Sequence, residues 1–250
     1  MATGDLIQFL DADDILYPTK LTEQVPMLVG KGVDSVWCDV DVVSFDEKDC
    51  ALLPPRWRPV WNDDAVLVAL GLNPGVPSPI HKASVIKRIG GFRTELTCAQ
   101  DRDLHLRLAC AGARFAYLAK AFVKTRRRSD SLSADSSRVF AEYERVIVPA
   151  YNSLDALGQL TDARAAAFAG FMAKAARGYI RFGDKTGASA YLETAQRMHV
   201  SGGIGVAYGR RLAPVRRVLG PWHAERMARC AGALRRLLML GRRATIGEGI

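Results

Sequence analysis

The chain has 250 residues, 49% of them hydrophobic and 24% charged, enough to fill a core and too apolar for wholesale disorder. No apolar run reaches the ~18 to 20 residues of a membrane-spanning helix. The net charge of +9 sits in the tail: residues 210–250 hold ten arginines against Glu225 and Glu248, whereas the preceding 209 residues carry 25 bases and 24 acids. The first residues, MATGDLIQFLDADDIL, place acids where an export signal would place base and then a greasy stretch, so a cytoplasmic location is expected. Five cysteines (Cys38, Cys50, Cys98, Cys110, Cys230) form no C-x-x-C pair, which argues against a disulfide framework or a zinc knuckle.

In chain order, Leu6 to Leu10 is a buried-strand candidate ending abruptly in acid. A helix is predicted over Pro18 to Val29, a strand over Val36 to Ser44, and helices over Asp63 to Leu70, Ser84 to Ile89 and Asp101 to Ala111. In the last of these Leu104, Leu106, Leu108 and Ala109 supply the apolar positions. Ala113 to Leu118 reads as a further strand, so residues 1–135 have the alternating look of an α/β domain. Residues 136–200 are rich in alanine. Phe140, Tyr143 and Ile147, then Phe168, Phe171, Met172 and Tyr179, then Ala190, Leu192, Ala195 and Met198 recur near helical spacing, predicting three helices with a break at Gly183 and Gly187. Residues 201–250 form a basic amphipathic tail opened by Ser201-Gly202-Gly203.

Asp11-Ala12-Asp13-Asp14 directly follows the first strand. Acids at the carboxyl end of a strand lie where open α/β sheets bind ligands. Like charges this close repel unless a cation or donors compensate, and a hard divalent ion bridging to a diphosphate would do so. The plainer reading is an acidic turn with Asp14 capping the next helix. A haloacid-dehalogenase phosphatase begins similarly but expects Thr or Val where Ile15 stands, and Ile15 also occupies a ligand position of a calcium EF-hand loop, so both fit poorly. Further on, Gly90-Gly91-Phe92 precedes Gln100-Asp101-Arg102-Asp103-Leu104-His105-Leu106-Arg107. Adjacent glycines permit a tight turn or a close backbone approach, and a carboxylate opening a helix is kept ionised and able to take a proton. The structural alternative is Asp101 as cap, with Asp103 paired to Arg107 at i, i+4.

Together, FLDADDILYPTKL and, some eighty residues later, GGF followed by QDRDLHLRL resemble a family 2 glycosyltransferase of GT-A fold. The resemblance covers roughly residues 3–133. It implies a partial GT-A (Rossmann-like) mixed sheet with a C-terminal helical region, and inverting transfer of a sugar from a nucleotide-diphosphate sugar, with a UDP-sugar the expected donor, to a saccharide or lipid-linked acceptor. By that resemblance Asp11 and Asp13 hold Mg²⁺ or Mn²⁺, Asp11 and Asp14 face the donor, Gly90, Gly91 and Gln100 line the sugar and acceptor cleft, and Asp101 is the catalytic base. Gln100 replaces the usual Glu before the base. Arg128 stands where the family often has a histidine; it could neutralise phosphate but not ligate a metal. The acidic strand begins at residue 5 or 6, without the βαβα units that build the family's nucleotide-base pocket. That leaves one sheet edge uncovered and an alternative reading: a truncated, non-catalytic remnant that binds a partner or a membrane. The tail's arginines, interleaved with Leu212, Val215, Trp222 and Leu234 among others, suit an anionic inner membrane face. No nucleic-acid module accompanies them, so no nucleic-acid partner is expected.

Overall fold

The structure is a computed structural model that describes residues 2–30, 32–44, 62–71, 75–127 and 136–201, and between 203 and 230 residues 203, 207, 212, 214–216, 218, 220–228 and 230. The chain forms two compact units, residues 1–164 and 165–250.

The first unit is a five-stranded mixed sheet in the order β1-β4-β3-β5-β2, formed by β1 (Leu6–Gln8), β2 (Ile15–Leu16), β3 (Ser35–Ser44), β4 (Ile80–Lys82) and β5 (Phe115–Arg127). Its helices are α1 (Lys20–Gly30), α2 (Ala65–Gly71), α3 (Ala83–Arg88), α4 (Gln100–Cys110) and α5 (Ser136–Ala156). The five elements predicted as β1, α1, β3, α3 and α4 appear within a few residues of their expected bounds, and α2 likewise. The strand expected over 113–118 runs on to Arg127 because it pairs in parallel with the whole of β3, from Ser35 opposite Phe115 to Ser44 opposite Arg127. Strand alternation divides the core. Leu6, Val36 and Ile80 pack with Leu28 and Val25 of α1 on one face, and Ile7 and Phe115 pack with Val85, Ile86, Leu104 and Leu108 of α3 and α4 on the other. Helix α4 is buried nearly all round, Leu104, Leu106 and Leu108 being fully enclosed, each contributing roughly 1.5–3 kcal/mol of burial.

Strand β4 is antiparallel to both β1 and β3, so β1, β3 and β5 run the same way and end on the same side. Strands β1 and β2 are the two rims of the sheet, and residues 9–14 join them. The acidic turn is therefore strung across the carboxyl ends of the parallel strands. Among the described residues β1 pairs with β4 alone and β2 with β5 alone.

Two histidines are sealed between the sheet and α4. His81 Nδ1 lies 2.7 Å from Ser35 Oγ, and His105 packs at 4.6 Å from the Trp37 ring and 5.8 Å from the His81 ring. His81 Nε2 and both ring nitrogens of His105 have no hydrogen-bond partner among the described residues. Burial, reinforced by Arg102, pushes His105 down to about 3, and burial with the nearby His105 and Lys20 pushes His81 well below its ordinary value. Both are neutral when folded, and the unfolded chain gains protons first as pH falls. Stability should therefore decline below about pH 6.5, the ordinary histidine value, by up to ~1.4 kcal/mol per pH unit for each histidine. Urea midpoints at pH 7 and pH 5 check this: His105→Leu should flatten the dependence, and an unchanged slope would refute it.

The second unit holds α6 (Asp162–Phe182), whose first turn lies in the other unit, and α7 (Lys185–Met198). The expected break falls at Gly183 alone, with φ +81°; Gly187 lies inside α7, where its N–H donates to the capping Asp184 at 2.9 Å. Phe168, Met172, Ala195 and Met198 are buried as the periodicity predicts, but Ala190 is exposed and Tyr191 takes the inward position, its ring 5.0 Å from Tyr179. Gly203 lies so close to Gly170 that a Cβ would stand 2.2 Å from its backbone nitrogen, a contact only glycine permits. Glu225, also buried, accepts from Arg177 and Arg181 at 2.6 Å each. Most of the basic tail, 231–250 included, lies outside the described residues. No helix among the described residues is long and apolar enough to cross a membrane.

Candidate active site

The acids of the first motif hang on a tight turn. Asp14 N–H donates to Asp11 O at 3.1 Å, closing Asp11–Asp14 so that its carboxylates crowd together. Asp11 is raised by desolvation and then by Asp13 and Asp101; Asp14 is raised to about 6 by desolvation, with Asp11 and Asp13 adding to it and the Arg126 N–H opposing. That Asp101 acts on Asp11 places the two sequence motifs, some ninety residues apart, at one site.

The second motif is aimed by backbone and by one arginine. Helix α3 ends in Gly90 and Gly91, at φ +77° and +73°, whose N–H groups return to Lys87 O and Ile86 O at 3.1 Å each; the pair is a helix stop. Arg107 of α4 then reaches back, donating from Nη1 to Ile89 O at 2.9 Å and from Nη2 to Gly91 O at 2.7 Å, while its Nε donates to Asp103 Oδ2 at 2.7 Å. Asp103 is buried and also meets Arg93 at 3.4 Å. The predicted Asp103–Arg107 pair thus exists, and it ties the glycine turn to α4. Asp101 is not the cap: Ala99 is, in the left-handed region at φ +60° and ψ +20°. This is the one non-glycine residue with positive φ among those described, a strain of roughly 1–3 kcal/mol at the point that orients the helix start.

A cavity of about 900 Å³ opens over these groups. Asp11, Asp13, Gln100 and Asp101 line it together. Asp14 does not; its carboxylate accepts the Arg126 N–H at 3.1 Å and fastens the turn to β5. Gly90 and Gly91 also lie off the lining, and Arg128 falls outside the described residues. Phe9, Phe92, Val139, Phe140 and Tyr143 line the same cavity, the last three on α5, a helix that the sequence places with the alanine-rich stretch. Glu142 pins α5 here, accepting from Thr97 Oγ1 at 2.8 Å, and Cys98 Sγ donates to Arg138 O at 3.4 Å. The aromatic pair Phe140 and Tyr143, spaced i, i+3, was the signal available in the sequence.

Among the described residues no group of three or more His, Cys, Asp or Glu side chains converges as a complete metal cage. Two mutually repelling carboxylates on an open cavity, without a lysine or arginine beside them on the lining, are instead the donor set of an ion such as Mg²⁺ that keeps waters or substrate phosphate among its ligands. The residues present fit a hard divalent cation held in that way.

Residues 1–88 match the model of the glycosyl transferase family 2. No curated protein matches the chain. Among solved structures, the chain is similar to S. aureus TarS 1-349 in complex with UDP-GlcNAc, at 16% identity and a TM-score of 0.62, covering 92% of this chain and 69% of that one. A second structure of S. aureus TarS 1-349 is similar at 17% identity and a TM-score of 0.49, covering 92% and 68%. The mannosyltransferase PcManGT from Pyrobaculum calidifontis, in complex with GDP-Man and Mn²⁺, is similar at 18% identity and a TM-score of 0.44, covering 93% and 63%. The match over the first 88 residues is thus to glycosyl transferase family 2, and the sheet and helices form a partial GT-A α/β fold.

Proposed function

We propose that this protein is an inverting glycosyltransferase, moving a sugar from a nucleotide-diphosphate donor to a hydroxyl acceptor. The observation that carries the reading is the meeting of Asp11, Asp13 and Asp101 on one cavity at the carboxyl ends of parallel strands. Asp11 and Asp13 would hold Mg²⁺ or Mn²⁺, which when bound would offset the charge of the departing nucleoside diphosphate. Asp14 keeps the acidic turn on β5 through the Arg126 N–H. Asp101 takes the acceptor proton as that oxygen attacks the anomeric carbon from the face opposite the leaving group. The likeness to a protein crystallised with UDP-GlcNAc supports a nucleotide-sugar donor. The charge of residues 210–250 supports a peripheral place on an anionic membrane face, suited to a lipid-linked acceptor.

The reading is tested by following nucleoside diphosphate release from UDP- and GDP-sugars with Mn²⁺ present, alongside Mn²⁺ titration. Asp11→Asn and Asp13→Asn should each weaken Mn²⁺ binding by about tenfold or more, ~1.4 kcal/mol, and the double variant should release none. Release at the parent rate from the double variant would overturn the assignment.

A further inference from the structure

The cavity lining combines two kinds of side chain, the acids Asp11, Asp13 and Asp101 and the rings of Phe9, Phe92, Phe140 and Tyr143. Phe92 remains 36% exposed although it meets Phe9 edge-on with centroids 4.9 Å apart, and Phe140 lies 5.8 Å from Tyr143 on α5. Large apolar surface left facing a polar cleft marks a ligand contact more often than an accident of packing. Helix α5 is held in place by Glu142 and Arg138, so these rings are presented by an anchored element.

Charge narrows what can lie against those rings. Every charged side chain among the described lining residues is an acid. A divalent cation offsets a diphosphate's two charges and leaves the three carboxylates in excess, so the cavity stays negative with the donor in place. A second phosphate or a carboxylate there would face like charge in a partly desolvated space. An aromatic face, negative at its centre, instead attracts polarised C–H groups, and one face of a pyranose ring is a patch of axial C–H groups.

We propose that Phe92 and Phe140 form the acceptor subsite, stacking an uncharged pyranoside ring whose hydroxyl is thereby presented to Asp101, and that the acids of the same cavity reject anionic acceptors. This rests on the glycosyltransferase reading and adds the acceptor class to it.

Saturation-transfer NMR tests it with methyl pyranosides of glucose, galactose, mannose and N-acetylglucosamine and with the 6-phosphates of the same sugars, the full chain being held with diamagnetic Mg²⁺ and UDP and its Mn²⁺ uptake titrated separately. At least one neutral glycoside should receive saturation, strongest at its axial C–H protons, and its 6-phosphate should receive little. Phe92→Ser, and separately Phe140→Ser, should weaken that signal by about fivefold to tenfold, with Mn²⁺ uptake and the circular-dichroism spectrum unchanged. Phe92 is exposed, so its variant keeps the test meaningful should the Phe140 variant misfold. Equal saturation of the phosphorylated sugars, no saturation of any neutral glycoside, or full signal in folded Phe92→Ser would overturn the subsite. Failure of the parent chain to take up Mn²⁺ would instead overturn the glycosyltransferase reading, so the two failures are told apart.

Discussion

With Asp101→Asn, sugar transfer should fall by about 10²- to 10⁴-fold while donor and Mn²⁺ binding persist. The amide has almost the shape of the carboxylate, and its carbonyl oxygen can still accept the Arg102 N–H that Asp101 Oδ1 now receives at 2.7 Å. Ala99, not Asp101, caps α4, so the helix start should stand, with stability changing by no more than ~0.5 kcal/mol. What the variant loses is the ability to take a proton and the charge that Asp11 feels. Initial rates and Mn²⁺ affinity on the same preparation separate the outcomes: retained transfer refutes the base, and lost folding would show that Asp101 has a structural role instead.

The largest stability effect is expected at Arg107. Arg107→Ala should cost about 3 kcal/mol or more, because it leaves Asp103, buried at 2% exposure, with Arg93 at 3.4 Å as its remaining cation. It also frees Ile89 O and Gly91 O, to which the guanidinium donates at 2.9 and 2.7 Å. Arg107→Lys should recover only part of this, since an ammonium cannot span three acceptors set for a planar fork. Urea denaturation measures the loss, and a midpoint within error of the parent protein would show the bridge to be energetically idle. Should the bridge matter as argued, activity in Arg107→Lys should drop further than stability alone explains, because the glycine turn and α4 no longer move together.

The acids and α4 were legible in the sequence for simple reasons. A run of acids directly after an apolar strand marks the strand's carboxyl end, and a helix as enclosed as α4 shows its burial in Leu104, Leu106 and Leu108. The bridging role of Arg107 was not legible, since i, i+4 spacing reveals Asp103 but not two carbonyls in another element. Strands β2 and β4, two and three residues long, are too short to show alternation and exist because β5, β1 and β3 pair with them. Lys20 contradicts the rule that lysines are exposed: it is fully buried, and its ammonium donates to Gln24 Oε1 at 2.5 Å, Ser78 O at 2.7 Å and Cys38 Sγ at 3.6 Å. Its partners lie up to 58 residues away, and no local pattern announces them. The attachment of α5 to the sheet unit was hidden likewise, because it depends on Glu142 and Arg138 meeting Thr97 and Cys98.

The acidic turn hangs between two short rim strands, three residues of β1 and two of β2. Whatever ion or phosphate settles on Asp11 and Asp13 therefore acts as a buckle, cinching opposite rims that share no hydrogen bond with each other. Occupancy of the cleft and rigidity of both margins become a single equilibrium, so that a ligand resting on a few carboxylate oxygens is felt across the full width of the β-layer.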